Sequence, residues 1–104
     1  MNEVKEITLE EARRLLDSGG TLFVDIRDEA SYQKGRIPGS FLLCEDNTEQ
    51  FVTQTDKSKA LVVYCYHGNA SQSGAAFLMD QGFKKVYSLK GGFDLWRKTE
   101  KTES

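Results

Sequence analysis

The stretch Tyr64-Cys65-Tyr66-His67-Gly68-Asn69-Ala70-Ser71-Gln72-Ser73 holds the residues whose types and order could do chemistry. Cys65 closes the apolar run Ala60-Leu-Val-Val-Tyr-Cys65, a short polar loop follows, and a helix carrying Ala75 to Met79 begins near Ala70. A loop this tight cannot run straight, so successive N–H groups are expected to turn inward and form an anion nest. Gly68 and Asn69 tolerate the positive φ values such a curl needs. The N-terminus of the following helix aims about half a positive charge at the same space. These features favour thiolate over thiol, since cysteine pKa values at helix N-termini fall from about 8.5 to roughly 3.5–7.5. An ionised, partly exposed sulfur at the floor of an anion pocket is a nucleophile, and it needs no adjacent general base.

The other reactive residues have weaker contexts. A cysteine at a strand end can also be an inert small hydrophobe, but the loop after Cys65 argues for a reactive one. Cys44 has no such loop and reads as structural. His67 is the only histidine. Two residues from the cysteine in a tight loop, its side chain is expected to diverge from the sulfur. It therefore reads as a loop-shaping or substrate-lining residue rather than a general base. No paired ligand spacing supports a metal site from Cys44, Cys65 and His67, and no metal or cofactor is expected.

The elements that must position this loop follow from periodicity. Lys5 to Ile7 reads as a short edge strand. Thr8-Leu-Glu-Glu11 is a capping-box pattern, followed by Leu9, Ala12, Leu15 and Leu16 at helical spacing and by Gly19-Gly20 as a stop. Thr21 to Ile26 is an apolar, β-branched run suited to a strand buried on both faces. Asp28 caps a short helix that Gly35 ends, and Pro38-Gly39 is a turn. Ser40 to Leu43 reads as a third strand, and Asn47-Thr48 open a further helix bearing Phe51 and Val52. Ala60 to Cys65 is the most apolar strand and belongs at the sheet centre. Lys85 to Leu89 is the last strand, and Gly91-Gly92 lead into a helix with Phe93, Leu95 and Trp96. Strands alternating with helices predict an α/β domain with a mainly parallel sheet and helices on both faces. Ligands of such sheets bind beyond the carboxyl ends of the strands, where Cys65 sits.

The chain of 104 residues suits one domain, with a core over about 5–98 and a flexible, charged tail over 99–104. Fourteen basic and sixteen acidic residues give a net charge of -2, and no basic stripe stands out, so nucleic acid is not an expected partner. The start MNEVKEITLEEARR lacks an apolar core, so no signal or transit peptide is expected, and no run suits a membrane span. Two cysteines without framework spacing fit the reducing cytoplasm.

Three ordered motifs resemble the single-domain rhodanese family over almost the whole chain. Val24-Asp-Ile-Arg27 with Tyr32 and Gly35-Arg-Ile-Pro-Gly-Ser40 resembles the family's DxR…Y…GHIPGA segment. CYHGNAS at Cys65–Ser71 is similar to the loop of its thiosulfate sulfurtransferases. Gly91-Gly-Phe-Asp-Leu-Trp96 resembles its GGxxxW ending. The resemblance implies a rhodanese-like α/β fold and sulfur transfer through a Cys65 persulfide. Thiosulfate would be the donor, with cyanide or a thiol, including a small dithiol protein, as acceptor. The loop residues Tyr66, His67, Gly68, Asn69, Ala70 and Ser71 would hold the substrate.

There are departures. Arg36 stands where the family usually has histidine, a mostly structural position. Many members carry CRxGxR, whereas Tyr66 and Ala70 occupy those arginine positions here, as the thiosulfate sulfurtransferase type allows. Ala70 replaces a serine, which changes little if only backbone N–H groups bind the anion. Asp25 and Arg27 read as an ion pair fixing a strand end, and Gly91, Gly92 and Trp96 as structural. Lys90 reads as a surface lysine.

Two rivals share the fold. Cell-cycle dual-specificity phosphatases use a loop one residue longer, Cys-x5-Arg, whose guanidinium clamps the phosphoryl group. Ser71 occupies the arginine position here, and the loop has none. Non-catalytic rhodanese-like modules often lose the cysteine, which this chain keeps.

Overall fold

A computed structural model describes residues 4–104. Its elements alternate as the periodicity predicts. They are β1 (Lys5–Ile7), α1 (Leu9–Ser18), β2 (Thr21–Asp25), α2 (Glu29–Lys34), β3 (Phe41–Leu42), α3 (Glu45–Gln54), β4 (Ala60–Tyr64), α4 (Ala70–Asp80), β5 (Val86–Leu89) and α5 (Gly92–Thr99). All five strands form one sheet in the order β1-β5-β4-β2-β3, and every pairing is parallel.

β4 is central because its side chains are apolar on both faces. Val62 and Tyr64 join Phe23, Ile37, Leu89, Phe93 and Trp96 in the core under α1 and α5. Leu61 and Val63 join Val24, Phe51, Ala75, Leu78, Phe83 and Val86 under α3 and α4. Each such large side chain, once buried, stabilises the fold by about 1.5–3 kcal/mol.

The local signals act as their chemistry requires. Thr8 Oγ1 accepts from the Glu11 N–H at 3.2 Å, and Glu11 Oε1 accepts from the Thr8 N–H at 3.0 Å, closing the capping box. Asp28 accepts from the Ser31 N–H at 3.0 Å to start α2. α3 opens two residues earlier than the sequence reading places it. Asn47 is not the cap. Its Oδ1 reaches back to the Cys44 N–H at 2.8 Å, and its Nδ2 donates to the Leu42 carbonyl at 2.9 Å. The amide thus does what Glu does in a capping box. β3 is shorter than Ser40–Leu43, because the Ser40 N–H turns back to the Ile37 carbonyl at 3.0 Å.

Residues 99–104, read from sequence as a flexible tail, carry defined contacts. Trp96 Nε1 donates to the Lys101 carbonyl at 2.9 Å. Arg36 and Glu103 exchange backbone hydrogen bonds at 2.9 Å each, and their side chains pair at 3.2 Å. No helix among the described residues is long and apolar enough to cross a membrane.

Candidate active site

β2 and β4 end side by side, with Asp25 opposite Tyr64 in the register. The chain beyond each strand is fixed by buried polar groups. Asp25 is fully buried, and its carboxylate takes the Arg27 Nε at 3.1 Å, Nη2 at 2.7 Å and backbone N–H at 2.8 Å. Arg27 Nη2 also donates to the Gly35 carbonyl at 2.7 Å, and the guanidinium lies 4.2 Å over the Phe93 ring. The expected ion pair therefore ties β2 to the segment after α2. The Tyr64 hydroxyl accepts from the Ile37 N–H at 3.2 Å and is hydrogen-bonded to the Ser40 hydroxyl at 2.9 Å.

Cys65 follows β4 directly and is 7% exposed. The loop curls around its sulfur as anticipated. Sγ accepts from the Gly68 N–H at 3.1 Å and from the Ser71 N–H at 3.3 Å. Burial alone would push the thiol up. The Ser71 hydroxyl and the N–H groups of Ser71, Gly68 and His67 together outweigh it and hold Cys65 below the ordinary thiol range. The charged form is thus favoured mainly by hydrogen bonds to one sulfur, which is the nest the spacing implies.

The curl needs only one residue at positive φ. Gly68 has φ +97°, and a Cβ there would stand 3.0 Å from the Gly91 nitrogen. Asn69, expected to share that role, is at φ -88° in the right-handed region as the cap of α4. The helix turn itself supplies the rest of the bend, so no second left-handed residue is required.

The outer rim of the loop is held from behind by α5. The Phe93 N–H donates to the Cys65 carbonyl and the Asp94 N–H to the Tyr66 carbonyl, both at 2.9 Å. The loop thus lies between two helix starts: α4 faces the sulfur, and α5 grips the carbonyls that point away from it. Gly92 permits the second approach, for a Cβ there would fall 2.5 Å from the Tyr66 oxygen. The sequence reading treats the Gly91-Gly92 pair as structural. What it misses is that the structure being supported is the loop itself.

The remaining site residues divide by exposure. Tyr66 is 38% exposed and packs edge-on against Phe93. His67 points to solvent, its side chain 69% exposed and its Nδ1 3.9 Å from Asp94 Oδ2. Asn69 and Ala70 are exposed, whereas Gly68 and Ser71 are buried. Lys90 is exposed. Cys44 is an exposed free thiol at the start of α3, not a core side chain. No cluster of three or more His, Cys, Asp or Glu side chains able to hold a metal occurs among the described residues. A cleft of about 300 Å³ opens beside Tyr66, with Arg27, Lys34 and Arg97 among its walls.

A parallel five-stranded sheet that presents a cysteine in a nest of N–H groups after its central strand is a rhodanese-like arrangement. The Rhodanese-like domain profile matches residues 8–99, and the chain belongs to that family. It is 47% identical to the thiosulfate sulfurtransferase GlpE of Pseudomonas savastanoi pv. phaseolicola, over 100% of this chain and 97% of that protein. Among solved structures, the rhodanese-like domain of an Anabaena protein superposes with a TM-score of 0.86 at 24% identity, covering 100% of this chain and 80% of that one. A Rhodopseudomonas palustris protein described as a possible tyrosine phosphatase superposes with a TM-score of 0.78 at 31% identity, covering 91% and 80%.

Proposed function

We propose that this chain is a thiosulfate sulfurtransferase that works through a persulfide on Cys65. The observation that carries this reading is the Cys65 sulfur held by inward N–H groups, in a loop with no cationic side chain between Cys65 and Ser71. The full-length likeness to a thiosulfate sulfurtransferase supports it.

The thiolate attacks the outer, sulfane sulfur of thiosulfate. A new S–S bond forms to Cys65, the S–S bond of thiosulfate breaks, and sulfite leaves with its electron pair. The Gly68 and Ser71 N–H groups are already aimed at the sulfur, so charge is stabilised there without reorganisation. Cyanide then attacks the terminal sulfur of the persulfide, thiocyanate leaves, and the Cys65 thiolate returns. A thiol acceptor, such as that of a small dithiol protein, takes the same sulfur as its own persulfide. No proton needs to move through a side chain in the first transfer, and no cofactor supplies electrons. Tyr66, His67, Asn69 and Ala70 form the rim that the anionic donor crosses. Lys34 lines the adjacent cleft together with Arg27 and Arg97, which are ion-paired to Asp25 and Asp94. We assign residues 1–104 to a single domain and place it in the reducing cytoplasm, where free thiols persist.

Incubation with thiosulfate should add one sulfur atom to the intact mass, located on Cys65. Cyanide should remove it with formation of one equivalent of thiocyanate. Hydrolysis of a phosphoryl ester without thiocyanate formation would instead favour the phosphatase reading that the Rhodopseudomonas likeness raises. That reading lacks the arginine clamp, since Ser71 stands in its place.

His67→Ala should leave the thiosulfate:cyanide rate within a few-fold of wild type. A side chain acting as general base would cost about 10²–10⁴-fold when removed. The His67 side chain points to solvent, away from the hydrogen bonds on the sulfur, and alanine keeps the backbone of the loop. A steady-state rate comparison decides between the two.

A further inference from the structure

One peptide of the sulfur-bearing loop is held by a side chain outside it. Gly68 turns its N–H onto Sγ, but its carbonyl belongs to the next peptide, Gly68–Asn69, and takes no backbone N–H among the described residues. Its partner is the side chain of Gln72, in the first turn of α4, whose Nε2 donates to it at 3.3 Å. The same Nε2 reaches Glu6 Oε2 on the edge strand β1 at 3.4 Å. Two oxygen acceptors on one nitrogen fix which end of the amide faces them, because only the NH2 group donates.

The direction of that carbonyl sets the direction of a donor. No peptide bond among the described residues is cis, and in a trans peptide the C=O and N–H point opposite ways. With the Gly68 carbonyl drawn toward Gln72, the Asn69 N–H points out past the N-terminus of α4. Asn69 has helical angles, φ -88° and ψ -55°, so this N–H runs nearly parallel to that of Ser71, which meets Sγ at 3.3 Å. It meets no protein acceptor among the described residues and is free to take an anion beside the sulfur.

The opposite orientation is open to the same peptide. Turning it over changes ψ of Gly68, which has no Cβ, and brings φ of Asn69 to the positive side, which asparagine tolerates better than most residues. The Gly68 carbonyl, a negative dipole end, would then face the sulfur and any anion there. The first turn of α4 cannot follow this motion, because the Ser71 hydroxyl pairs with that of buried Ser88 on β5 at 2.7 Å. The choice between the two orientations therefore falls on the one hydrogen bond of the Gly68 carbonyl.

We infer that Gln72 is a positioning residue for anion recognition: its amide holds the Gly68–Asn69 peptide with the carbonyl outward and the Asn69 N–H turned toward the negative end of a reagent at Cys65. Gln72 acts through that peptide and does not touch the reagent. The inference deepens the proposed sulfur transfer, in which the negative end is the sulfonate of thiosulfate, and rests on that reading for its functional meaning.

The test compares iodoacetate and iodoacetamide, two alkylating agents of nearly the same shape, on Cys65 in a Cys44→Ser background. Both need the thiolate, so the ratio of their rates cancels any change in ionisation or folded fraction and reports how well the site holds negative charge. Gln72→Met keeps the length and loses the donor. It should lower the iodoacetate:iodoacetamide ratio about three- to tenfold, the contribution of one hydrogen bond. In an Asn69→Ala background alanine resists positive φ and disfavours the turned-over peptide, so the same Gln72→Met change should lower the ratio less than about twofold. An unchanged ratio in Gln72→Met, or a fall just as large when residue 69 is already alanine, overturns the latch. The kcat/KM for thiosulfate should fall by the same factor as the ratio, and a value that holds while the ratio falls overturns the role in sulfur transfer. The alkylation measurement needs no sulfur donor. A wild-type protein that takes no sulfur from thiosulfate would defeat the proposed function while leaving the alkylation result to stand or fall separately.

Discussion

Cys65→Ser is expected to bring thiocyanate formation from thiosulfate and cyanide down to the uncatalysed rate, a loss of at least about a thousandfold. Serine fits the space, and its oxygen can keep the bonds from the Gly68 and Ser71 N–H groups. The loss therefore reports chemistry rather than a collapsed loop. The nest holds the thiol's pKa below its ordinary range, but an alcohol starts far too high for the same hydrogen bonds to ionise it. An oxygen also cannot carry sulfane sulfur as a persulfide does. Intact mass after thiosulfate should show no added sulfur, and a thermal melt should show a folded protein. Retained turnover would move the reaction off Cys65 and end the persulfide account. The same variant exposes a linkage effect. The folded-state pKa of Cys65 is depressed, so its ionisation contributes stability that is fully present above the unfolded thiol value of about 8.5 and lost as pH falls through the folded value. The stability gap between wild type and Cys65→Ser should accordingly widen in favour of wild type as pH rises across that window.

Local chemistry makes much of this site legible in the sequence. Ala60–Tyr64 is apolar on every residue, which only a strand covered on both faces can bury, so its central place follows from composition. The nest follows from a cysteine, a glycine and a helix start within a few residues. The capping box at Thr8 is likewise a contact between near neighbours in sequence. What stayed hidden was set by contacts between distant segments. Nothing in Val-Tyr-Ser-Leu marks Ser88 off from any other strand serine, and only the pairing of β4 with β5 beneath α4 brings it to Ser71. Asn69 resembles a left-handed residue by type, yet one glycine completes the turn. Asn47 looks like a cap and instead sits three residues inside the helix, reaching back. Arg36 stands where family members usually have histidine, and its partner Glu103 lies 67 residues away.

The second large effect belongs to Gly92, and it connects the stability of the fold to the readiness of the sulfur. Gly92 has φ +60°, and an added Cβ would sit 2.5 Å from the Tyr66 oxygen and 2.7 Å from the Cys65 oxygen. Both neighbours are backbone, so neither can swing aside like a side chain. Both carbonyls also receive the first free N–H groups of α5. Gly92→Ala must therefore push the helix start away from the loop, or shift the loop off the helix. Overpacking of this kind costs about 1–3 kcal/mol, and a Cβ in the left-handed region adds about 1–2 kcal/mol. A domain of this size should then melt roughly 10–30 °C lower. Turnover should fall by more than the unfolded fraction explains, because moving the Cys65 and Tyr66 peptides also moves the Gly68 and Ser71 N–H groups relative to Sγ. Gly91→Ala provides the contrast. Its φ is +81°, but the added Cβ meets the Leu95 side chain at 2.7 Å, which can change rotamer. That variant should lose stability through backbone strain and its contact with Leu95, whose Cβ would stand 3.0 Å away, and keep near-normal activity in its folded fraction. Equal activity losses in the two variants would mean that α5 does not hold the loop through Gly92, and that the reactive geometry is fixed from the α4 side alone.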